Sequence, residues 1–397
     1  MALDRMLYND LFLRDYLKQG VFFKMKNLAL FHEIAENPYD YAKKVKKESG
    51  KKIVGYFCSY TPEEIIDAAG ALPFRIFGRG GDSLADAHLQ AYSCGLVRGA
   101  LHDALSGGLD FLDGVVFPHT CDSIQRLSDI WRINVKTGFH IDVVLPVKLD
   151  TKSSGEYMAD VLRKFLRDIE NGLGVVISAD DLKASVIKYN RIRSYLRKIY
   201  RIRSENPALI GSGDFHAIVR ASMVMDRDHL LEELAAFDGS LHGGKAAGKP
   251  AGKRVVLAGG VCNLPDIFSI IEDSGGTVVG DDFCTGSRYF EGEIGVNGDI
   301  VESIAERYRE RINCPAKHSG LLTRGEHIIK IVRESGAKGV IFLFLKFCDP
   351  HSFDYPYLKD MLNREGIPSM LFEIEEQLPS EGQFKTRCEA FLEMLQA

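Results

Sequence analysis

One pattern occurs twice in this 397-residue chain: an apolar segment leads to a cysteine, and the start of a helix follows. In the first copy, residues 53–57 lead to Cys58; in the second, residues 255–258 lead to Cys262. Proline at the start of a helix and acidic residues in its first turn both favour helix initiation. These residues are Pro62 with Glu63 and Glu64 in the first copy, and Pro265 with Asp266 in the second.

Each half of the chain also contains a further apolar segment that reaches a cysteine. The stretch GVVFPHTCDS contains Cys121, and GVIFLFLKFCDPH, whose strand we expect over residues 339–347, contains Cys348. Alternating strands and helices predict parallel sheets covered by helices. We therefore predict an α/β protein with two Rossmann-like lobes. Ligands bind such folds at the carboxyl ends of the strands, where these cysteines are expected.

The pattern divides the chain into five segments. Between the lobes, the sequence is charged and has helical periodicity, and we interpret its many Lys and Arg residues as a solvated face. The predicted segments are a helical N-terminal region (1–50), a first lobe (51–150), a helical insert (151–240), a Gly/Ala/Lys linker (241–253) and a second lobe (254–397).

Charge and hydropathy exclude several classes of function. The net charge of −5 provides no broad basic face for nucleic acid. The longest apolar run, Val340 to Leu345, is far shorter than the roughly 20 residues of a membrane helix. The N-terminal residues lack the pattern of a signal peptide. We expect a cytoplasmic protein with no nucleic-acid or membrane partner.

The chain has eight cysteines but no C-x-x-C motif, so a metal site has to combine cysteines that are distant in sequence. Polar loop residues flank Cys94, Cys121 and Cys348, and Cys94 opens a helix, where partial positive charge favours a thiolate. Three thiolates across a cleft between two lobes suit an iron–sulfur cluster with one iron open to substrate. Cys388, in a helical pattern, is interpreted as a buried apolar residue.

A catalytic cysteine–histidine pair is the competing interpretation, because His119 and His351 flank two of these cysteines. Nucleophilic catalysis, however, does not require an equivalent cysteine in both halves. His119, His351 and Ser59 lie near strand ends and are candidates for moving protons, but we interpret each first as a structural residue. The catalytic acid or base stays unknown at this stage.

Several longer motifs resemble a known family. They include GYFCSYTPEEIIDAAGALPFRI, YSCGLVRGAL, VVFPHTCDSIQRLSDIW, GDDFCTGSRYFEGEIG, KFCDPHSFDYPYLKDMLNREGIP and EGQFKTRCEAFLEML. From about residue 50 to the C-terminus, the chain resembles the iron–sulfur subunits of 2-hydroxyacyl-CoA dehydratases and ATP-dependent benzoyl-CoA reductases. These are anaerobic enzymes, lyases or oxidoreductases.

This resemblance implies a [4Fe-4S] cluster held by Cys94, Cys121 and Cys348. It also implies three partners: a homologous sister subunit, an ATP-dependent iron–sulfur activator protein and a CoA-thioester substrate. In this family, the activator supplies a low-potential electron that reduces the thioester to a ketyl radical. The protein then has to orient the acyl group and exclude water.

Two alternatives remain open within the same resemblance. A related branch holds a double-cubane cluster with six cysteines and reduces small molecules without CoA. Its second set of ligands would be Cys58, Cys284 and Cys314. Alternatively, the chain is a non-catalytic sister subunit that stabilises a substrate-binding partner.

Overall fold

Two parallel four-stranded sheets form the framework of the protein, and they share one strand order. The structure is a computed structural model that describes residues 21–78, 84–241, 252–263, 266–311, 314–374 and 381–395. In the first sheet the order is β2-β1-β3-β4, with β1 Ile53–Tyr56, β2 Leu72–Arg75, β3 Gly114–Pro118 and β4 Phe139–Val143. In the second it is β6-β5-β7-β8, with β5 Lys253–Gly259, β6 Gly276–Asp282, β7 Gly339–Leu345 and β8 Ser369–Ile374. This repeated topology confirms the predicted pair of Rossmann-like lobes.

Helices cover both faces of each sheet, which explains why the central strands are buried throughout. Around the first sheet they are α1 Val21–Glu36, α2 Pro38–Ser49, α3 Glu63–Ala68, α4 Gly95–Leu105 and α5 Asp122–Asn134. Around the second they are α10 Asp266–Asp273, α11 Ser287–Phe290, α12 Ile300–Glu310, α13 Thr323–Ser335, α14 Asp349–Arg364 and α15 Glu381–Met394. None of the helices in these described segments has the length and apolar character needed to cross a membrane.

Four helices connect the two sheets: α6 Lys152–Leu173, α7 Ala179–Glu205, α8 Ser212–Ser222 and α9 Arg227–Leu241. Local sequence explains their ends. Thr151 caps α6 by accepting a hydrogen bond from the Ser154 backbone N–H at 3.2 Å, and Gly174 ends the helix in the left-handed region at φ 69°. Ser178 and Asp181 form a reciprocal capping box at the start of α7. The predicted domain boundaries themselves stay a prediction.

Packing joins the two halves through shared cores. Cys284, Tyr289 and Phe290 from the second half belong to the core that lies over one face of the first sheet. Ile304 and Tyr308, on α12, belong to the core over its other face. This packing fixes the position of the second half relative to the first sheet. A site built from residues of both halves requires such a fixed position.

The structure corrects the predicted ends of two strands. The strand expected over residues 53–57 ends at Tyr56, and the strand expected over residues 339–347 ends at Leu345. Beyond each strand lies a non-glycine residue with positive φ: Cys58 at 24° and Phe347 at 63°. Such backbone is incompatible with a continuing strand, and it turns the chain toward the following helix.

The structure also corrects the interpretation of the basic residues in the insert. Arg193, Arg203 and Arg227 are buried rather than solvated. Arg227 donates to Glu63 at 2.7 Å, and Arg193 pairs with Glu64. The two acids that open α3 therefore anchor the insert to the first lobe, because buried charges require partners. Most of the predicted linker, at residues 242–251, and Pro265 lie outside the described residues.

Candidate functional site

Six cysteines from both halves of the chain lie close enough to interact electrostatically. Cys121 interacts with Cys94 and Cys58, and Cys348 interacts with Cys94, Cys121 and Cys284. Cys314 interacts with Cys284 and Cys58. Four of the six follow the carboxyl ends of β1, β3, β6 and β7, which is the edge predicted to bind ligands. We call this group the thiol cluster: Cys58, Cys94, Cys121, Cys284, Cys314 and Cys348.

The three predicted ligands share one position in local structure. Cys94, Cys121 and Cys348 are the N-cap residues of α4, α5 and α14, respectively. Three helix N-termini, with their unpaired N–H groups and partial positive charge, therefore converge on the thiol cluster. Such an arrangement favours negative charge on the sulfur atoms.

Burial opposes that charge in the chain without a bound group. Burial raises the pKa of the Cys121 thiol to about 12, and the backbone N–H groups of Ile124 and Ser123 act against this rise. Burial likewise raises the pKa of Cys94 and Cys348. These thiols are therefore protonated at neutral pH in the chain without a bound group. Metal binding to the sulfur atoms releases these protons.

The other three cysteines form a second subgroup beside two buried arginines. A hydrogen bond from the Cys314 thiol lowers the pKa of Cys284, and the same bond raises the pKa of Cys314. Arg288 and Arg75 add to the lowering at Cys284. Arg288, 2% exposed, lies 3.3 Å from Asp282. This subgroup favours a thiolate at Cys284.

A cavity of about 430 Å³ opens onto the thiol cluster between the two halves of the chain. Its inner wall includes Cys121, Cys314 and the buried Lys317. Its outer wall includes the exposed aromatic residues Phe353 and Tyr357. The volume lies within the usual range for small-molecule sites. A small compound can therefore reach two of the six sulfur atoms.

The sequence from residue 58 to residue 395 matches the family described as 2-hydroxyglutaryl-CoA dehydratase, D-component. The chain belongs to this family. It is 28% identical to the (R)-phenyllactyl-CoA dehydratase beta subunit of Clostridium sporogenes, over 92% of this chain and 97% of that subunit. It is 30% identical to a benzoyl-CoA reductase subunit from Thauera aromatica, over 83% and 87% of the two chains. It is 27% identical to the beta subunit of (R)-2-hydroxyglutaryl-CoA dehydratase from Acidaminococcus fermentans, over 92% and 98%.

These names confirm the predicted family and its enzymatic character. Each relative is named as a subunit of a dehydratase or a reductase. The matched region of the D-component family includes all six members of the thiol cluster. The likeness to the three relatives extends over most of each chain, so it includes both lobes and the insert between them.

The donor set fits an iron–sulfur group of the kind expected from the resemblance. Among the described residues, no three or more His, Cys, Asp or Glu side chains are arranged to hold a metal ion. A cubane cluster is bound differently, with one thiolate on each iron, so its ligands do not converge on one point. Arg288 Nη1 and Arg75 Nε are buried donors without a hydrogen-bond partner among the described residues. Buried donors beside thiols suit an anionic group.

The remaining two cysteines of this D-component family member, Cys262 and Cys388, are buried in the core of the second lobe. Cys262 is fully buried in the core of the second lobe, where its backbone N–H donates to Thr285 Oγ1 at 3.0 Å. It follows β5, as predicted. Cys388 is buried in the same core, and this finding agrees with its interpretation as an apolar residue.

The candidate proton-transfer residues have structural partners. His119 Nε2 lies 2.9 Å from Asp142 Oδ1, and the carbonyl of Ser59 accepts a hydrogen bond from Arg311 at 2.7 Å. His351 Nδ1 lies 3.2 Å from the sulfur of Cys348. His351 is therefore in direct contact with a predicted ligand. The structure assigns none of them a role as acid or base.

Two residues of the site were not found from the sequence. Lys317 lies on the inner wall of the cavity, and Arg288 lies beside Cys284 and Cys314. The positions of both residues depend on contacts between distant segments. The only signal in the sequence is proximity: Lys317 follows Cys314 by three residues, and Arg288 follows Cys284 by four.

Proposed function

We propose that this chain is the [4Fe-4S]-binding subunit of an enzyme of the 2-hydroxyacyl-CoA dehydratase or benzoyl-CoA reductase type. It receives a low-potential electron from an ATP-dependent iron–sulfur activator protein and reduces a CoA thioester. The observation that carries the proposal is the convergence of Cys94, Cys121 and Cys348, each at a helix N-terminus. Family membership and the names of the relatives support the reaction class.

Cys94, Cys121 and Cys348 are the proposed ligands, and they leave one iron without a protein thiolate. When bound, the cluster supplies one electron that converts a thioester carbonyl into a ketyl radical anion, from which a hydroxyl can leave or an aromatic ring can be reduced. Burial of the three thiols disfavours added negative charge, which lowers the reduction potential. The N–H groups at the helix N-termini oppose this effect.

The cavity is the proposed site for the acyl group. It reaches Cys121 at its inner wall, so a carbonyl placed there would lie beside the proposed ligands. The exposed aromatic rings of Phe353 and Tyr357 at the outer wall offer apolar surface to an acyl chain or ring. Enclosure between the two halves would keep water from a reactive radical.

A second candidate is a double-cubane cluster that reduces small molecules. The observation that favours it is the position of Cys58, Cys284 and Cys314 within the same thiol cluster. The unpartnered donors of Arg288 and Arg75 beside Cys284 would suit the additional negative charge. In this case all six cysteines would be ligands.

Partners follow from the same proposal. A homologous sister subunit is supported by the names of the relatives, which are all subunits. If the chain has only a stabilising role, the purified chain will remain inactive with the activator until the sister subunit is added. Comparing activity with and without the sister, always with the activator, separates a catalytic role from a stabilising one.

Anaerobic reconstitution of the full chain with iron and sulfide, followed by iron counting and EPR spectroscopy, tests the cofactor. About four irons per chain support the single cluster, and about eight support the double cubane. Cys94→Ala, Cys121→Ala and Cys348→Ala should each lose iron under either proposal. Full iron content in all three variants would refute the ligand assignment.

Substitutions in the second subgroup distinguish the two clusters. With a single cluster, Cys58→Ala, Cys284→Ala and Cys314→Ala should keep the iron content of the wild-type chain. With a double cubane, each should reduce it. Cys262→Ala and Cys388→Ala are matched controls, because both residues are buried cysteines outside the thiol cluster.

A further inference from the structure

Lys317 is a buried lysine whose backbone is fixed by both halves of the chain. Its own backbone N–H donates to the Cys314 carbonyl at 2.9 Å. The next residue, His318, donates to Val147 at 2.8 Å and accepts from Leu149 at 2.7 Å. This segment is therefore held against the loop that follows β4. The lysine has little freedom to move its Cα away from the cavity.

The ammonium group of Lys317 has one N–H donor more than its two backbone carbonyl contacts use. Its Nζ lies 3.1 Å from the Leu145 carbonyl oxygen and 3.5 Å from the His119 carbonyl oxygen. A lysine ammonium has three N–H donors, so one remains beyond these two contacts. Among the described residues, no carboxylate forms an ion pair with Lys317, although the side chain is only 1% exposed. A buried cation without a counter-ion attracts an anionic partner.

Arg324, also a buried cation of the cavity wall, differs from Lys317 because it has carboxylate partners. Arg324 lies 2.7 Å from Asp282 and also pairs with Asp354, so its charge is already compensated. His318 is exposed. Lys317, by contrast, interacts with Cys58, Cys121 and Cys314 of the thiol cluster. Its charge therefore acts at the inner end of the cavity, next to the sulfur atoms.

We propose that Lys317 is the oxyanion-binding residue of this cavity. Its third N–H donates to the carbonyl oxygen of a bound acyl compound and stabilises the negative charge that develops there when the carbonyl is reduced. This role rests on the proposed function, because it takes the acceptor to be a thioester carbonyl. A donor fixed in advance and aimed at developing charge is the usual device for stabilising such an oxygen.

Alkylation of the full-length, iron-free chain tests the inference without requiring a loaded enzyme. The same thiolate attacks the CH2 carbon of iodoacetate or iodoacetamide and displaces iodide. The two reagents have similar size, but only iodoacetate is anionic. The measured quantity is the ratio of their rate constants at Cys121 and at Cys314, obtained by mass spectrometry of the peptides. Both cysteines line the cavity. Lys317 affects thiol ionisation equally for both reagents, so the ratio isolates attraction of the anion.

Replacement of Lys317 by Met should lower this ratio about fivefold or more, since one nearby buried charge is lost. Lys317→Gln, which keeps a polar donor, should lower it similarly, and Lys317→Arg should retain it. Lys330→Met is the control, because Lys330 is an exposed lysine on α13. A ratio that stays within twofold of the wild-type value in the Met and Gln variants overturns the inference.

A measurement on the wild-type chain covers the case in which these variants do not fold. In the folded chain, the iodoacetate-to-iodoacetamide ratio at Cys121 and Cys314 should exceed the ratio at the same residues in urea. An equal or lower ratio in the folded chain contradicts the inference. Iron reconstitution separates the two proposals: a wild-type chain that takes up no iron refutes the proposed function, whereas the alkylation ratio still decides the anion-binding role of Lys317.

Discussion

The sulfur atom of Cys348 lies 3.2 Å from Nδ1 of His351, one turn along α14. The imidazole is buried, and its ring centroid is 5.2 Å from that of Phe344 on β7. Burial, with the charges of Arg324 and Arg288, holds the pKa of His351 well below its usual value, so the ring is neutral. A neutral, enclosed ring in contact with a proposed ligand is suited to fixing the orientation of that ligand.

Replacing His351 with Ala should therefore have two effects. The free energy of unfolding of the iron-free chain should fall by about 2 kcal/mol or more, because a buried ring is lost and a cavity remains. The amount of iron bound after reconstitution should also decrease, because the Cys348 sulfur loses its contact with the imidazole ring. Urea unfolding and iron counting measure these effects. Ser352→Ala is the matched control, since Ser352 is exposed and its hydroxyl donates to the Cys348 backbone carbonyl, at 3.2 Å, rather than to the sulfur. Wild-type iron content in the His351 variant would show that the ring does not position Cys348.

The buried pair of Arg193 and Glu64 should make a large contribution that depends on both partners. Arg193 is 5% exposed and Glu64 is fully buried, so removing either partner leaves an uncompensated charge in the interior. We expect Arg193→Met to lower the free energy of unfolding by about 3–5 kcal/mol. The double variant with Glu64→Met should lose much less than the sum of the two single variants, because both charges are then absent.

Urea unfolding of the four chains of this double-mutant cycle measures the coupling. Arg163→Ala supplies the comparison, because Arg163 pairs with Asp299 and Glu302 at the surface. That variant should lose about 1 kcal/mol or less. Additive effects of the Arg193 and Glu64 substitutions would be inconsistent with a coupled buried pair.

The part of the structure that the sequence predicts is the part encoded by local patterns. A strand or helix repeats its apolar positions within a few residues, so the sequence shows the strands that lead to four of the cysteines and the helix that follows Cys94. Polar loop residues next to Cys94, Cys121 and Cys348 marked these three as candidate ligands, whereas Cys58, Cys284 and Cys314 were named through the family resemblance. Lys317 and the partners of Glu63 and Glu64 have no such pattern. Lys317 is 172 residues from Leu145, and Arg193 is 129 residues from Glu64. Contacts of this range are set by tertiary packing.

Asp142 should make the stability of the first lobe sensitive to acid. Burial alone would raise the pKa of this carboxyl, but hydrogen bonds from His140, Ser128 and His119 outweigh it and hold the pKa well below the ordinary 3.8. A carboxyl whose pKa is lowered by folding contributes stability above its unfolded pKa, and this contribution is lost as the pH falls through the folded value. The urea midpoint of the wild-type chain should therefore decrease below about pH 4.

Asp142→Asn removes the ionisable group, so the two chains should differ most at neutral pH and approach each other in acid. Urea midpoints measured from pH 7 down to about pH 3 test this expectation. Asp150→Asn is the control, because Asp150 is more exposed and lies 3.7 Å from Lys148 at the surface. A constant difference between the wild-type and Asp142→Asn chains across this range would mean that Asp142 does not titrate differently in the folded chain.

Phe347 immediately precedes Cys348 and adopts a left-handed backbone conformation, with φ at 63°. This conformation costs a residue with a Cβ about 1–2 kcal/mol, whereas glycine adopts it freely. The side chain is 41% exposed, so little packing is lost when it is removed. Phe347→Gly should therefore keep the stability of the wild-type chain or increase it. Phe347→Val should decrease it, because a β-branched residue tolerates this conformation poorly.

The comparison of these two variants isolates the backbone, because both remove the aromatic ring and its contact with Lys346 at 5.2 Å. We expect the Gly variant to exceed the Val variant by at least about 1 kcal/mol in the free energy of unfolding, measured with urea on the iron-free chain. The turn at Phe347 places Cys348 at the start of α14, so the Val variant should also bind less iron than the Gly variant. Equal stability and equal iron content in the two variants would indicate that the left-handed turn is not needed to place Cys348.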